Sequence, residues 1–192
     1  MPDGVDPDRI PPGQTLTAPD RWPLLQFGPV PRADLSVWNL KVFGLVEQDL
    51  MLSYDELRAL PQTEVTADIH CVTGWSRLGD RWSGVPIQAI LRRCRPTKEA
   101  THVMAHCEFG YTTSLPLEVL DDVDVLLCYG WNGQDLSEEH GFPLRLFVPK
   151  KYFWKSAKWL RGLEFMPRNR LGFWEQRGYH DEADPWLEQR FW

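Results

Sequence analysis

The sequence predicts an α+β fold with mixed or antiparallel sheets. Segments with strand character outnumber those with helical character, and the predicted helices are short. Strands and helices do not alternate regularly and no internal repeat is visible, which argues against a parallel βαβ architecture. The chain has 192 residues, which is enough for one domain with a substantial core.

The first half of the chain is predicted to contain strands and two short helices. A strand-rich stretch covers residues 35–46, and the sequence SYDE at residues 53–56 matches a capping box that begins a helix. Residues 64–71 alternate between apolar and other positions, as a half-buried strand does, and Gly74 then marks a tight turn. A second helix is predicted over residues 87–94.

The second half is predicted to be richer in strands, each an apolar run bounded by turn residues. They cover residues 101–107, 110–116, 123–129, 143–149 and 163–166. Asn132 and Gly133 indicate a hairpin turn. Helical turns are expected at residues 117–121 and 156–160, followed by an aromatic-rich tail over residues 167–192.

Two domain segments are predicted. Residues 1–20 are rich in Pro, Asp and Gly and are expected to form a flexible N-terminal arm. Residues 21–192 are expected to form a single domain. Within it, residues 22–31 are apolar but rich in Pro, so they should lie extended on the body, either packing their aromatic rings or facing a ligand.

Composition excludes several function classes. A net charge of -6 argues against nucleic-acid binding, which usually needs a basic surface. No apolar run is long enough to span a bilayer, and the N-terminus lacks the features of a signal peptide, so we expect a cytoplasmic protein without a membrane segment. The four cysteines are widely spaced and are expected to be thiols.

Cys71 is the sharpest candidate for chemistry because it lies where a predicted strand becomes a loop. His70, Arg77 and Arg81 are near it in sequence and could lower the pKa of its thiol. A lone cysteine at a strand end is more often a core residue, so burial is the alternative. A thiol nucleophile with a histidine base is a further alternative.

A basic cluster follows in residues 148–159. It holds four lysines and Ser156, interleaved with aromatic residues, at an expected helical start. Backbone amides at a helix N-terminus together with cationic side chains bind phosphate, so the cluster predicts an anion site. A solvated basic loop is the alternative. Just upstream, His140 and Arg145 flank a Gly-Phe-Pro turn.

Three ordered motifs carry a family resemblance. HCVTGWS at residues 70–76, HGFPLR at residues 140–145 and KSAKWL at residues 155–160 resemble the molybdopterin-binding domain of the sulfite oxidase family. The likeness is greatest to the bacterial sulfite-oxidase-like group. The sequence GFWEQRGYH at residues 172–180 resembles the C-terminal signature of that group.

The resemblance implies a sulfite oxidase-type molybdopterin-binding fold and the molybdenum cofactor. It makes Cys71 the catalytic thiolate ligand of molybdenum, beside the dithiolene of one molybdopterin. It also implies two-electron oxygen-atom transfer on a small-molecule substrate. A separate electron-transfer partner is expected, because the sequence shows no haem, iron–sulfur or flavin motif. The cofactor-binding residues that it implies are His70, His106, His140, Arg145, Ser156, Ala157 and Lys158.

The sequence also departs from sulfite oxidases. Their Arg-Asn-His segment and the Gly-Asn-Arg-Arg stretch after the cysteine are replaced here by residues 25–28 and 72–76, and Arg77 is displaced. An oxyanion such as sulfite therefore loses binding charge, and a sulfoxide or an N-oxide is expected instead. A non-catalytic molybdopterin-binding protein and a metal-free thiol enzyme are the alternatives.

Overall fold

Two mixed sheets form the body of the protein. The computed structural model describes residues 6–192, and residues 1–5 of the predicted arm lie outside the described residues. The strands are β1 (Thr15–Leu16), β2 (Asn39–Gly44), β3 (Leu50–Ser53), β4 (Thr63–His70), β5 (Trp75–Pro86), β6 (His102–Cys107), β7 (Thr112–Pro116), β8 (Leu126–Trp131), β9 (Gln134–Asp135), β10 (Arg145–Phe147) and β11 (Leu160–Met166). The α-helices are α1 (Tyr54–Arg58), α2 (Ile87–Cys94) and α3 (Leu117–Leu120). The predicted α+β class with short helices is confirmed.

Most neighbouring strands are antiparallel. The first sheet has the order β1-β5-β8-β10, with β4 beside β5 and β9 beside β8. The second sheet has the order β3-β2-β11-β6-β7. The pairs β1–β5 and β2–β11 are parallel. One hydrophobic cluster joins both sheets, with Leu40 and Leu163 from the second and Val85 and Leu127 from the first.

Several elements lie where local signals in the sequence predict them. The Ser53 hydroxyl accepts from the Glu56 amide and the Glu56 carboxylate accepts from the Ser53 amide, so the capping box begins α1 as predicted. The second helix has the predicted bounds. The hairpin between β8 and β9 turns at Asn132 and Gly133, which both have positive φ as a type I′ turn requires.

The long strand β5 is not among the strands predicted from the sequence. The stretch contains Gly79, Gly84 and several charged residues, which are uncommon inside strands. The charges are satisfied within the fold, since Arg77 and Asp80 form a buried ion pair at 2.7 Å. Gly84 permits a close approach to β8, where an added Cβ would lie 2.4 Å from the Leu127 carbonyl oxygen.

The helical turn predicted over residues 156–160 is wrong. A single 3-10 turn covers Phe153–Lys155, and the chain then passes through Trp159 at a φ of 58° into β11. A helix start was one of the two reasons for predicting an anion site here. The region has no such helix, so the site depends on side chains alone.

The N-terminal segment lies against the body. Thr15 and Leu16 pair in parallel with Trp75 and Ser76, and Arg9 forms a 2.6 Å ion pair with Asp68. Residues 6–20 therefore have specific contacts, while the flexibility of the arm stays a prediction. Within residues 6–192, no helix is long and apolar enough to cross a membrane. The cytoplasmic location stays a prediction as well.

A buried ion pair fixes the C-terminal tail to the body. Lys155 and Glu175 have fully buried side chains whose Nζ and Oε1 atoms lie 2.6 Å apart. The Lys155 ammonium also donates to the Ser114 carbonyl at 2.8 Å, and the Glu175 carboxylate accepts from Thr113 and Trp154. These hydrogen bonds satisfy most of the polar atoms of the ion pair, and they fix the position of residue 175 relative to the body.

Replacing Lys155 with Met should lower the free energy of unfolding by about 3–5 kcal/mol, because Glu175 would be left as a buried charge without a cation. Lys150→Met is the matched control, since Lys150 pairs with Asp122 at the surface and such pairs contribute roughly 0–1 kcal/mol. Urea unfolding of both variants measures the difference. Equal losses in the two variants would contradict the role given to the buried pair.

Candidate active site

A cavity of about 320 Å³ lies beside the loop that joins β4 to β5. Three segments that are distant in sequence form most of its wall: the loop around Cys71, the extended segment over residues 22–27 and the stretch over residues 153–159. Most of the lining side chains are apolar or aromatic. The basic ones are His140, Arg145 and Lys158.

Cys71 lines this cavity from the turn after β4. The turn is closed by two hydrogen bonds, from the Cys71 amide to the Trp75 carbonyl at 2.8 Å and from the Gly74 amide to the Cys71 carbonyl at 3.0 Å. Gly74 adopts a φ of 94°, which favours glycine. The Cys71 sulfur lies 3.2 Å from the Thr73 hydroxyl, and the residue is only 7% exposed.

Burial raises the pKa of the Cys71 thiol above its usual value, while the Thr73 hydroxyl and the charge of Arg190 act in the opposite direction. The predicted activation by His70, Arg77 and Arg81 is wrong. Arg77 is engaged by Asp80 and by carbonyl oxygens of residues 18–21, and Arg81 forms an exposed pair with Glu64. A free thiolate nucleophile is therefore not favoured here.

Arg145 is a buried cation in the wall of the cavity. It is 2% exposed, and its hydrogen bonds go to the carbonyls of His140 at 2.8 Å and Ser156 at 2.6 Å. Within residues 6–192 no acidic side chain pairs with it, and its Nε atom has no partner. Burial lowers the pKa of Arg145 to about 10. A buried guanidinium with an unused donor is suited to bind an anion.

His140 lies next to Arg145 and is neutral at pH 7. Burial, together with the charges of Arg145 and Lys158, lowers its pKa to about 4. Its Nδ1 atom lies 2.8 Å from the Ser137 hydroxyl, and its ring stacks on Trp22 with the centroids 3.8 Å apart. Its Nε2 atom is buried and has no hydrogen-bond partner among residues 6–192. The histidine thus offers one neutral polar atom for a ligand.

The predicted segment 156–158 also borders the cavity. The Lys158 ammonium donates to the Glu139 carbonyl at 2.8 Å, and burial lowers its pKa to about 7. The Ser156 hydroxyl accepts from the Val148 amide at 2.9 Å, so its side chain holds the segment in place. Ala157 is buried and lines the cavity through its small side chain.

The other lysines of the basic cluster do not reach the cavity. Lys150 pairs with Asp122, Lys151 lies 3.5 Å from Glu182, and Lys155 belongs to the buried pair described above. Of the four lysines, Lys158 alone is among the lining residues. An anion site built from the whole cluster is therefore wrong.

Two of the predicted cofactor residues lie away from the cavity wall. His70 is buried, and its Nδ1 atom lies 2.8 Å from the Ser76 hydroxyl. Successive residues of a strand point to opposite faces, so His70 at the end of β4 does not face the same side as Cys71. His106 lies on β6 with its Nε2 atom 2.8 Å from the Glu164 carboxylate. The structure therefore brings together Cys71, His140, Arg145 and the segment 156–158, but not these two histidines.

Sequence reasoning missed several lining residues. Tyr111 donates to the Trp154 carbonyl at 2.7 Å, and Trp174 and Tyr179 enter the wall from the C-terminal tail. They carry no local signal of a binding site. The C-terminal signature at residues 172–180 did contain two of them, but the sequence did not indicate that it meets the loop around Cys71.

The residues present fit a metal whose other ligands come from an organic cofactor. Within the part of the chain that the structure describes, no group of three or more His, Cys, Asp or Glu side chains could hold a metal ion. One cysteine thiol, a buried guanidinium and a lysine line the same cavity. A soft thiolate suits a sulfur-ligated metal, and the cations suit the anionic part of a cofactor.

The comparisons with known proteins give a consistent assignment. Residues 27–174 match the family described as the oxidoreductase molybdopterin binding domain. The uncharacterized oxidoreductase YuiH of Bacillus subtilis strain 168 is 48% identical over 184 residues, which are 95% of this chain and 92% of that protein. A putative protein-methionine-sulfoxide reductase subunit of Azospira oryzae, YedZ1, is 34% identical over 79% of this chain and 57% of that protein.

A solved structure gives the same result for the fold. The sulfane dehydrogenase SoxCD from Paracoccus pantotrophus matches with a TM-score of 0.68 and 25% identity. The match covers 78% of this chain and 42% of that chain. The chain therefore spans almost all of YuiH, but only about half of the other two proteins.

The free energy of unfolding should fall as the pH is lowered from 7 to 5. Burial lowers the pKa of both His70 and His140 to about 4, whereas in the unfolded chain a histidine titrates near 6.5. The unfolded state therefore takes up protons in this window and the folded state does not, which favours unfolding. Urea titrations at several pH values should show a smaller fall in His140→Gln. An unchanged slope would contradict the neutral state of His140.

Proposed function

We propose that Cys71 is the protein ligand of molybdenum in this chain. The chain belongs to the oxidoreductase molybdopterin-binding domain family, which is of the sulfite oxidase type. The chain is thus a molybdopterin-dependent oxidoreductase that binds the molybdenum cofactor. When bound, the cofactor supplies two-electron oxygen-atom transfer. The observation that carries the assignment of residues is the presence of the buried Cys71 thiol and the buried Arg145 guanidinium in one cavity.

In this proposal, Arg145 and Lys158 bind the anionic part of the cofactor. Arg145 is held by two carbonyl oxygens that leave its Nε atom unused, and Lys158 is held by the Glu139 carbonyl. Both cations are thereby oriented before any ligand arrives, which lowers the entropic cost of binding. His140 adds the unpaired Nε2 atom, while Ser156 and Ala157 shape the wall between these groups.

We propose a neutral oxide, such as a sulfoxide or an N-oxide, as the substrate. The cations near Cys71 are already engaged, Arg77 by Asp80 and Arg190 by backbone carbonyls. Once Arg145 and Lys158 bind the cofactor, the rest of the wall is mainly apolar or aromatic, with Trp75, Trp154 and Trp174 among its residues. The similarity to a putative protein-methionine-sulfoxide reductase subunit supports the same substrate class.

The proposed reaction is a two-electron reduction of the substrate. The sulfur–oxygen or nitrogen–oxygen bond of the substrate breaks, and the sulfur or nitrogen gains two electrons. The oxygen leaves as water with two protons. Since the reaction consumes two electrons, we propose that a separate electron-transfer partner supplies them.

Molybdenum analysis of two variants tests the site. Cys71→Ser should keep most of its molybdenum, because the cations still hold the cofactor, but lose the absorption of the thiolate–metal bond. Arg145→Met should bind the cofactor about tenfold or more weakly, since a hydrogen bond to a charged group contributes about 1.5–3 kcal/mol. Mass spectrometry and visible spectra of protein from a molybdopterin-producing host measure both effects.

Cys94→Ser is the matched control for this experiment, because Cys94 is an equally buried thiol on α2 and does not line the cavity. It should keep both the metal and the absorption. Wild-type protein without molybdenum, despite a proven supply of cofactor, would refute the proposed site. Thiolate–metal absorption that survives in Cys71→Ser would refute the role of Cys71.

Steady-state assays test the substrate class. With a reduced viologen dye as electron donor, kcat/KM for methionine sulfoxide or trimethylamine N-oxide should exceed kcat/KM for sulfite oxidation with ferricyanide by about tenfold or more. The reason is that the cations near Cys71 are already engaged and do not bind sulfite. Each missing hydrogen bond to a charged group weakens binding by about 1.5–3 kcal/mol. Cys71→Ser provides the background rate. Faster sulfite oxidation would exclude a neutral oxide as the preferred substrate.

A further inference from the structure

Arg190 reaches the loop around Cys71 from the C-terminal tail. One of its terminal nitrogens, Nη1, donates to the Val72 carbonyl, which belongs to the residue directly after the cysteine. The other, Nη2, lies 3.3 Å from the Pro12 carbonyl oxygen and 3.4 Å from that of Gly13. A single guanidinium thus joins the loop, the N-terminal segment and the tail.

Three carbonyls of the loop, those of Cys71, Val72 and Gly74, receive donors from outside it. The Gln14 side chain donates to the Cys71 carbonyl at 3.0 Å, and the Thr15 amide and hydroxyl approach the Gly74 carbonyl at 2.8 Å and 3.1 Å. Arg190 supplies the donor for Val72, and it is the charged member of the set. The loop is therefore held by hydrogen bonds on its outer side while the thiol lines the cavity.

The guanidinium is well placed to act as a charge. Its side chain is 18% exposed, so solvent screens it only in part. The nearest carboxylate, Glu188, lies 3.9 Å away and is half exposed, and the Tyr152 ring lies 5.1 Å from the guanidinium carbon. The contact with Glu188 is long and open to water, so it neutralises Arg190 weakly.

We propose that Arg190 is a positioning residue, whose hydrogen bonds fix the Cys71 loop and whose charge raises the reduction potential of the metal centre. The inference rests on the proposed function, because the loop matters in this way only if Cys71 is the ligand. A cation near a metal-bound thiolate favours the more negative, reduced state. Hydrogen bonding and charge around the ligand sulfur are established means of tuning a metal site.

The reduction potential of the cofactor-loaded protein tests the electrostatic part. Spectroelectrochemical titration should give a lower potential for Arg190→Gln than for the wild type, and an intermediate value for Arg190→Lys, which keeps the charge. Arg9→Gln is the matched control, because Arg9 ties the N-terminal segment to Asp68 without contacting the loop. It should have the wild-type potential. A purely structural role would lower stability without moving the potential of the loaded fraction.

Hydrogen–deuterium exchange of cofactor-free protein tests the positioning part. Peptides that contain residues 71–75 should exchange faster in Arg190→Gln than in the wild type or Arg9→Gln, because the amides of Cys71 and Gly74 close the turn. Wild-type exchange in Arg190→Gln, or a wild-type potential in its loaded form, would overturn the inference. Wild-type protein that never binds molybdenum would refute the proposed function instead, and the exchange data would then decide alone whether Arg190 holds the loop.

Discussion

The cavity depends on one constraint, which is that the Arg145 guanidinium is buried with no acidic partner among residues 6–192. A buried charge is costly unless it is hydrogen-bonded, and here the carbonyls of His140 and Ser156 provide that compensation. Those carbonyls belong to two different segments, so both must be in place together. Burial, and next the charge of Arg145, lower the pKa values of His140 and Lys158, so Arg145 is the cation that most favours an anionic ligand in this cavity.

The remainder of the wall depends on contacts between segments that are far apart in sequence. Trp22 stacks on His140 and also lies 5.4 Å from Trp82, which in turn stacks on Phe147 at 4.3 Å. The extended N-terminal segment is thereby packed on the first sheet and closes one side of the cavity. The tail supplies Trp174, which follows the end of β11 and precedes the buried Glu175. Closure of the site is therefore a property of the whole chain.

The sequence predicted elements whose signals are local. The capping box at Ser53 and the turn at Gly74 need only a few neighbouring residues, and both are present as expected. The twelve-residue strand β5 was not predicted because the partners of its charged residues cannot be read from the sequence: Arg77 pairs with Asp80 in the same strand, and Arg81 pairs with Glu64 on β4. The exclusion of His106 from the cavity could not be predicted either, since its partner Glu164 is on a strand 58 residues away.

The same limit applies to the basic cluster. Composition gave four lysines in one stretch, but each lysine is directed by its own acidic or carbonyl partner, and only Lys158 faces the cavity. The family motifs predicted residues of the cavity wall better than composition did, because a motif identifies individual positions. Cys71, His140, Arg145 and Lys158 came from motifs, and all four line one cavity.

The contact between Arg190 and the Val72 carbonyl, 118 residues apart in sequence, has a consequence for biosynthesis. A ribosome makes the chain from its N-terminus, so the cysteine-bearing turn emerges long before the arginine that braces it. During that interval the turn lacks one of its supports and the wall lacks Trp174 and Tyr179. A site with its final geometry therefore requires that residue 190 has already emerged from the ribosome, so the turn alone is not a finished site for the cofactor.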